Sequence, residues 1–211
     1  MKKITVIDYG IGNVKSITNA LESIEVSAVL TSDKDEILNA DGVILPGVGA
    51  FKHGMDNLFE RDLVDTLRTY VDSGRLFLGV CLGMQMLMEE SEEFGITRGL
   101  GFIEGKVIRM PLDEKTTEKL PHVSWNELVE PTPGRWKGTI LEGLPAASDA
   151  YFVHSFVALP SNQDNLLAAC EYGNKLFCAA VHKNNVYGTQ FHPEKSGNIG
   201  KTILKNFLSL I

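Results

Sequence analysis

The sequence predicts an α/β fold in which a mostly parallel central sheet carries helices on both faces, with an antiparallel extension. Three observations lead there. Over roughly the first hundred residues, short and nearly all-apolar runs alternate with stretches of helical spacing, the pattern of strands buried on both faces. Those apolar runs end in glycine-bearing turns. Beyond about residue 100 the texture changes to short strands punctuated by Gly, Pro, Asn and Thr, which reads as antiparallel or mixed pairing.

Residues 4–7 form the first strand, followed by a glycine turn and a helix over 14–24 with Val14, Ile17, Ala20, Leu21 and Ile24 on one stripe. Residues 26–30 are a second strand, and 43–45 a third that runs into Pro46-Gly47-Val48-Gly49. A helix over 58–71 is stopped by Ser73-Gly74, 76–78 is a fourth strand, and 84–90 begins another helix. Strands follow over 107–110, 151–159, 166–171, 176–182 and 186–191, and a helix from about 200 to 210 closes the chain. No Ser/Gly/Pro-rich linker and no repeat divides the halves, so residues 1–211 are read as a single domain.

A hydrophobic fraction of 44% and a charged fraction of 22% are those of an ordinary globular protein. The net charge of −7 and the lack of a Lys/Arg cluster argue against a nucleic-acid binder. The opening Met1-Lys2-Lys3 and its apolar run mimic a signal peptide, but Asp8 cuts the run short and no apolar stretch approaches a membrane span. The expected location is therefore the cytoplasm. Three cysteines, Cys81, Cys170 and Cys178, show no metal-type spacing. Cys170 and Cys178 flank a hairpin turn at Gly173-Asn174, and we read both as reduced and half-buried.

Cys81 carries the chemistry. It sits at the apex of strand, sharp turn and helix, with Gly79 and Gly83 two residues away on either side. Such a turn forces a nucleophile into a strained backbone, and its neighbours must lack side chains for the loop to close. The following helix N-terminus favours thiolate and offers N–H groups to an oxyanion. The competing reading is a buried structural cysteine, which this context disfavours. A thiol nucleophile needs a base and the base an orienting group. Of five histidines, His192 stands out in Gln190-Phe191-His192-Pro193-Glu194. In an extended chain residues two apart lie on one face, about 7 Å between Cα atoms, so Glu194 can hold the imidazole of His192. A zinc site lacks a second Cys or His at ligand spacing, and no metal is expected. Gly10-Ile11-Gly12-Asn13 has Lys15 where a dinucleotide fingerprint needs glycine, and Pro46-Gly47-Val48-Gly49 lacks the Lys-Ser/Thr of a phosphate loop. No cofactor is expected, and both loops fall at the carboxyl edge of the sheet near Cys81.

Gly79-Val80-Cys81-Leu82-Gly83-Met84-Gln85 together with Gln190-Phe191-His192-Pro193-Glu194 resembles the class I (triad) glutamine amidotransferases, over the whole chain and with a flavodoxin-like fold. Within them the chain looks like the glutaminase subunits of imidazole glycerol phosphate synthase. The distinguishing runs are Asp8-Tyr9-Gly10-Ile11-Gly12-Asn13, Pro46-Gly47-Val48-Gly49-Ala50-Phe51, Pro121-His122-Val123-Ser124-Trp125-Asn126, Tyr151-Phe152-Val153-His154-Ser155 and His192-Pro193-Glu194-Lys195-Ser196. Ser124 stands where the family usually has Gly, and Phe156 where Tyr is common. The resemblance implies Cys81, His192 and Glu194 as catalytic triad and backbone N–H groups of Val48 and Leu82 as oxyanion hole. It implies Gly49, Gln85 and the edge strand His154-Ser155-Phe156 as the L-glutamine site. It implies a (β/α)8 cyclase subunit as partner, and Asn13, Trp125, Tyr151 and Lys195 are candidates for that interface. The whole chain is accounted for by the glutaminase, so an acceptor for ammonia is expected on another chain. A glutaminase serving another pathway and a stand-alone Cys hydrolase remain open at this point.

Overall fold

The computed structural model describes residues 2–211. Strand β1 (Ile4–Ile7) leads through helix α1 (Val14–Glu22), β2 (Ala28–Thr31) and α2 (Lys34–Leu38) to β3 (Gly42–Leu45). Helices α3 (Phe51–Glu60) and α4 (Val64–Asp72) precede β4 (Leu76–Val80) and the short α5 (Leu82–Met86). Then come β5 (Glu90–Ser91), β6 (Thr97–Arg98), β7 (Gly105–Arg109), β8 (His122–Glu127), β9 (Asp149–His154) and β10 (Phe156–Pro160). The hairpin β11 (Leu166–Tyr172) and β12 (Lys175–Lys183) is followed by β13 (Val186–Thr189) and the closing α6 (Gly197–Ser209).

Seven strands make the central sheet in the order β2-β1-β3-β4-β13-β12-β11. From β2 to β13 every pairing is parallel, and β12 and β11 add antiparallel at the far edge. The predicted parallel sheet with an antiparallel extension is thus observed, and strands from both halves of the chain share it. Alternate residues of one strand feed opposite faces. Leu78 and Val80 of β4 join α1 and α6 through Ile17, Leu21, Leu204 and Phe207, while Phe77 joins α2, α3 and α4 through Ile37, Leu58, Leu67 and Tyr70. Parallel strands β1, β3, β4 and β13 all end at the same edge, which gathers the loops bearing Gly10, Gly47, Cys81 and His192. Among the described residues no helix is long and apolar enough to cross a membrane.

Several predicted elements are corrected. The helix expected over 58–71 is two helices. Asp62 takes φ 54°, Leu63 N–H donates to the Leu58 carbonyl and Asp62 N–H to that of Phe59, a Schellman close in which Asp occupies the place usually held by Gly. The apolar spacing runs on across the break because Leu58 and Leu63, both buried, are the hydrophobic contact of that motif. The helix expected over 84–90 stops at Met86, since the N–H groups of Leu100, Gly101 and Ile103 take the carbonyls of Met86, Met88 and Leu87. The strand expected over 151–159 is split at Ser155 between two sheets: β9 pairs with β8, and β10 with β7. Strand β8 escaped the sequence pattern because its polar His122 is buried while Val123 and Trp125 face out. The turn at Gly173-Asn174 is observed with φ 58° at both residues, but the register pairs Ala169 with Cys178 and Cys170 with Phe177. The two thiols are free and fully buried rather than half-buried.

The start of α6 rests directly on the turn Pro193–Lys195: a Cβ placed on Gly200 would lie 1.7 Å from the Pro193 carbonyl oxygen. Gly200→Ala should therefore lift α6 from that turn, at a cost of about 1–3 kcal/mol, read in a thermal melt as a fall in Tm of roughly 3–10 °C.

Candidate active site

Cys81 is buried between β4 and α5 at φ 55°, ψ −109°, a conformation that is strained for any residue with a side chain. Its N–H donates to the Thr189 carbonyl at 2.7 Å, which fixes the turn to β13. The flanking glycines are sterically required. A Cβ on Gly83 would sit 1.9 Å from the Leu45 carbonyl oxygen, and one on Gly79 would sit 2.6 Å from that of Gly83. Helix α5 has only five residues, so its dipole acts on the sulfur more weakly than the longer predicted helix would.

His192 follows β13, the parallel neighbour of β4, and its N–H donates to the Tyr151 carbonyl at 2.9 Å. The ring is 2% exposed, with Nδ1 2.8 Å from Glu194 Oε1. Its Nε2 is buried without a hydrogen-bond partner and faces the Cys81 side. Burial opposes a cation here, but the Cys81 sulfur on one side and the Glu194 carboxylate on the other outweigh it and raise the imidazole well above its ordinary pKa. Ser196 ties the segment down: its hydroxyl donates to the His192 carbonyl at 2.7 Å and accepts the Tyr151 N–H at 3.0 Å. The three residues singled out in sequence thus meet, as a thiol, a buried imidazole and a carboxylate that orients it.

The two proposed oxyanion donors do not converge. Leu82 N–H is 3.3 Å from the Gly47 carbonyl oxygen and donates to it. In a trans peptide the C=O and N–H point in opposite directions, so the Val48 N–H of that same peptide is turned away from Leu82. Val48 and Gly49 are exposed, with Gly49 at φ 98°. A small cavity of about 10 Å³ is bounded by Asn13, Gly47, Val48, His192 and Glu194. A far larger cavity, about 740 Å³, lies between β10, β11 and β12 beside Val129 and Phe177, away from Cys81.

Gln85 is buried behind the strand 154–156, where its amide nitrogen donates to the Phe156 carbonyl at 3.0 Å and to Gln190 Oε1 at 3.1 Å. The His154 ring also points inward, contacting His122 and the Phe156 carbonyl; Ser155 and Phe156 are half-buried. At the rim Trp125 is 51% exposed and meets Tyr151 edge-on at 5.8 Å, with the Lys195 ammonium 5.7 Å above the Tyr151 ring. Trp125 is therefore no core aromatic. Asn13 borders the small cavity with His192 and Glu194 and caps α1 by accepting the Ser16 N–H. Three residues without an assigned role in the sequence reading also belong here. Gln190 places its amide nitrogen 3.8 Å from Cys81 Sγ, Tyr9 donates its buried hydroxyl to the Pro46 carbonyl at 2.8 Å, and Glu93 accepts the Phe51 N–H at 2.7 Å. The strand expected over 186–191 ends at Thr189, and Glu194 reaches the ring from the one-turn 3₁₀ helix Pro193–Lys195 rather than along extended chain, so the expected period of two is not what brings the pair together.

Two measurements follow. Cys81→Gly should unfold with about 1 kcal/mol more stability than Cys81→Ala, because glycine relieves the backbone strain, as read by denaturant titration. Glu194→Gln removes one of the two groups that raise His192, so NMR titration of that ring should show its pKa falling. The sign for stability follows: the contribution of the raised His192 is complete below its unfolded pKa of about 6.5 and is lost as pH rises through its folded value.

The sequence model of the family described as Glutamine amidotransferase class-I matches residues 5–210. The chain is 43% identical to the imidazole glycerol phosphate synthase subunit HisH 1 of Legionella pneumophila (strain Lens) over 213 aligned positions, covering 100% of both chains. It is 46% identical to the subunit HisH of Methanosarcina barkeri, again covering 100% of both. In three dimensions it is similar to a crystal structure of a glutamine amidotransferase, with a TM-score of 0.74 and 20% identity over 98% of this chain and 97% of that one, a likeness of fold. The closed elbow, the base beside it and these full-length likenesses agree: the chain belongs to the class I glutamine amidotransferases, among the HisH subunits of imidazole glycerol phosphate synthase.

Proposed function

We propose that the chain is the glutaminase subunit of imidazole glycerol phosphate synthase in L-histidine biosynthesis, one glutaminase domain that works in the cytoplasm with a (β/α)8 cyclase subunit. The observation that carries this is the strained Cys81 beside the buried, unpartnered Nε2 of His192, whose other nitrogen is held by Glu194. The Cys81 thiolate attacks the side-chain amide carbon of L-glutamine, and His192 donates its proton to the departing nitrogen. Ammonia leaves and a γ-glutamyl thioester remains on the sulfur. Water, giving a proton to the same imidazole, adds to the thioester; glutamate leaves and the thiol is restored. Glutamine and water become glutamate and ammonia.

The resting loop supports a subunit that depends on its partner. The Leu82 N–H is occupied by the Gly47 carbonyl, so the developing oxyanion would meet a carbonyl oxygen rather than two donors. Rotating the Gly47–Val48 peptide by half a turn frees Leu82 and brings in the Val48 N–H; the exposed Val48 and left-handed Gly49 give it room and a hinge. Asn13, Trp125, Tyr151 and Lys195 form the rim through which the cyclase subunit docks, and ammonia reaches its site without meeting bulk water. Gly49, Gln85 and the strand 154–156 frame the glutamine.

Glutaminase activity should be weak for the isolated chain and rise at least about a hundredfold with the cyclase subunit and its nucleotide substrate, since a single oxyanion donor is already worth about that much and two are gained. Cys81→Ala should lower the stimulated rate by at least about a thousandfold. Wild-type activity in Cys81→Ala would remove the nucleophile, and equal rates with and without partner would remove the dependent-subunit reading.

A further inference from the structure

Behind the glutamine strand lies a polar chain in an apolar box. His122 is fully buried, with Nδ1 3.1 Å from His154 Nε2 and Nε2 2.8 Å from the Asn126 carboxamide. His154 Nδ1 is 3.0 Å from the Phe156 carbonyl oxygen. The rings of Tyr172 at 4.0 Å, Phe152 at 5.1 Å and Phe177 at 5.7 Å enclose His122. No carboxylate contacts either ring; Glu118 acts on His122 from a distance and His192 on His154.

Counting protons fixes the direction of this chain. The Phe156 carbonyl can only accept, so His154 carries its proton on Nδ1 and its Nε2 is a bare acceptor. His122 must then donate from Nδ1, which leaves its own Nε2 bare and in need of a donor. With the Asn126 oxygen on His122 Nε2, two lone pairs would face each other between the rings. A bridging proton would cure that at the cost of a cation among aromatic rings. Turning the carboxamide so that its NH₂ meets His122 trades the long 3.4 Å donation from Asn126 to the Glu171 carbonyl for an amide oxygen beside that carbonyl, at a half-buried end of the chain that water can reach. Burial supports the neutral arrangement: it pushes both imidazoles below their ordinary range, His154 to about 3.

We propose that Asn126, His122 and His154 form a one-way, uncharged hydrogen-bond relay that fixes the Phe156 carbonyl and thereby positions Gln85 and the glutamine strand. The carbonyl is the junction. It accepts from His154 and also from Gln85, which reaches Gln190 and, through it, Cys81 Sγ. His122 and His154 act through these groups as positioning residues. The relay also starts on β8 one residue from exposed Trp125, which ties the rim to the strand. Its kinetic consequence rests on the glutaminase reading above; its proton placement does not.

NMR of the full chain with ¹⁵N-labelled histidine at neutral pH tests the placement: both rings should be neutral with the proton on Nδ1. An Nε2-protonated or cationic ring at either position overturns the relay. Asn126→Asp, at a half-buried site, offers only an acceptor and should force the His122 proton to Nε2; an unchanged His122 signal also overturns it. With the cyclase subunit and its substrate present, His122→Phe keeps the aromatic packing but removes the donor. It should raise the KM for glutamine about tenfold, with kcat within about twofold, the loss of one buried hydrogen bond. His122→Gln restores a donor and should recover most of that loss. If both variants match the wild-type KM, the relay positions nothing. A wild-type complex without glutaminase activity would sink the functional reading while the NMR result still decides the relay.

Discussion

The close approach of α5 to β3 governs the rest of the structure. The first turn of α5 passes so near the Leu45 carbonyl that only glycine fits at position 83, and Gly79 must likewise yield to the backbone of Gly83. The chain can make that turn only with Cys81 at φ 55°, ψ −109°, and the hydrogen bond from its N–H to Thr189 holds it there. Backbone strain of this kind costs about 1–3 kcal/mol, and the buried strands around it supply the rigidity to sustain it. The same close packing puts the Leu82 N–H within reach of the Gly47 carbonyl. The elbow therefore sets both the exposure of the sulfur and the resting state of the loop opposite.

Electrostatics completes what sterics begins. Burial to the extent of His192 would by itself lower its pKa, yet the Cys81 sulfur and the Glu194 carboxylate flank it and raise it. Glu194 can do this because the turn Pro193–Lys195 is anchored from both sides, by Ser196 to β9 and by α6 resting on the Pro193 carbonyl. The buried pair His122 and His154 shows the opposite outcome in the same molecule. Surrounded by aromatic rings and without a carboxylate, both are held below their ordinary range. Environment rather than residue type moves the pKa of one histidine up and of the other two down.

Much of the fold was legible because its strongest signals are local. Buried parallel strands read as apolar runs, and β1, β3 and β4 were located from these alone. The elbow was legible because glycine on both sides of a cysteine has a steric reason. His192 and Glu194 were legible as a pair because they lie two positions apart, although a tight turn rather than the expected extended chain joins them. The failures have a physical pattern too. Asp62 breaks a helix with a residue that tolerates positive φ less often than Gly, and β8 buries its histidine while exposing its tryptophan. The first is a local turn made with an uncommon residue, and the second depends on a strand partner far away in sequence.

The sequence by itself determined the fold class, the nucleophile with its base and orienting carboxylate, and the family, since each rests on periodicity or on residues within a few positions of one another. Only the tertiary structure decided that the Gly47 carbonyl occupies the Leu82 N–H, that the His154 ring turns inward to His122, and that Gln85 and Gln190 link the Phe156 carbonyl to Cys81. The reason is geometric. Hydrogen bonds between residues 32 to 109 positions apart depend on where separate strands end and which way a peptide faces, and no local pattern in the chain encodes that.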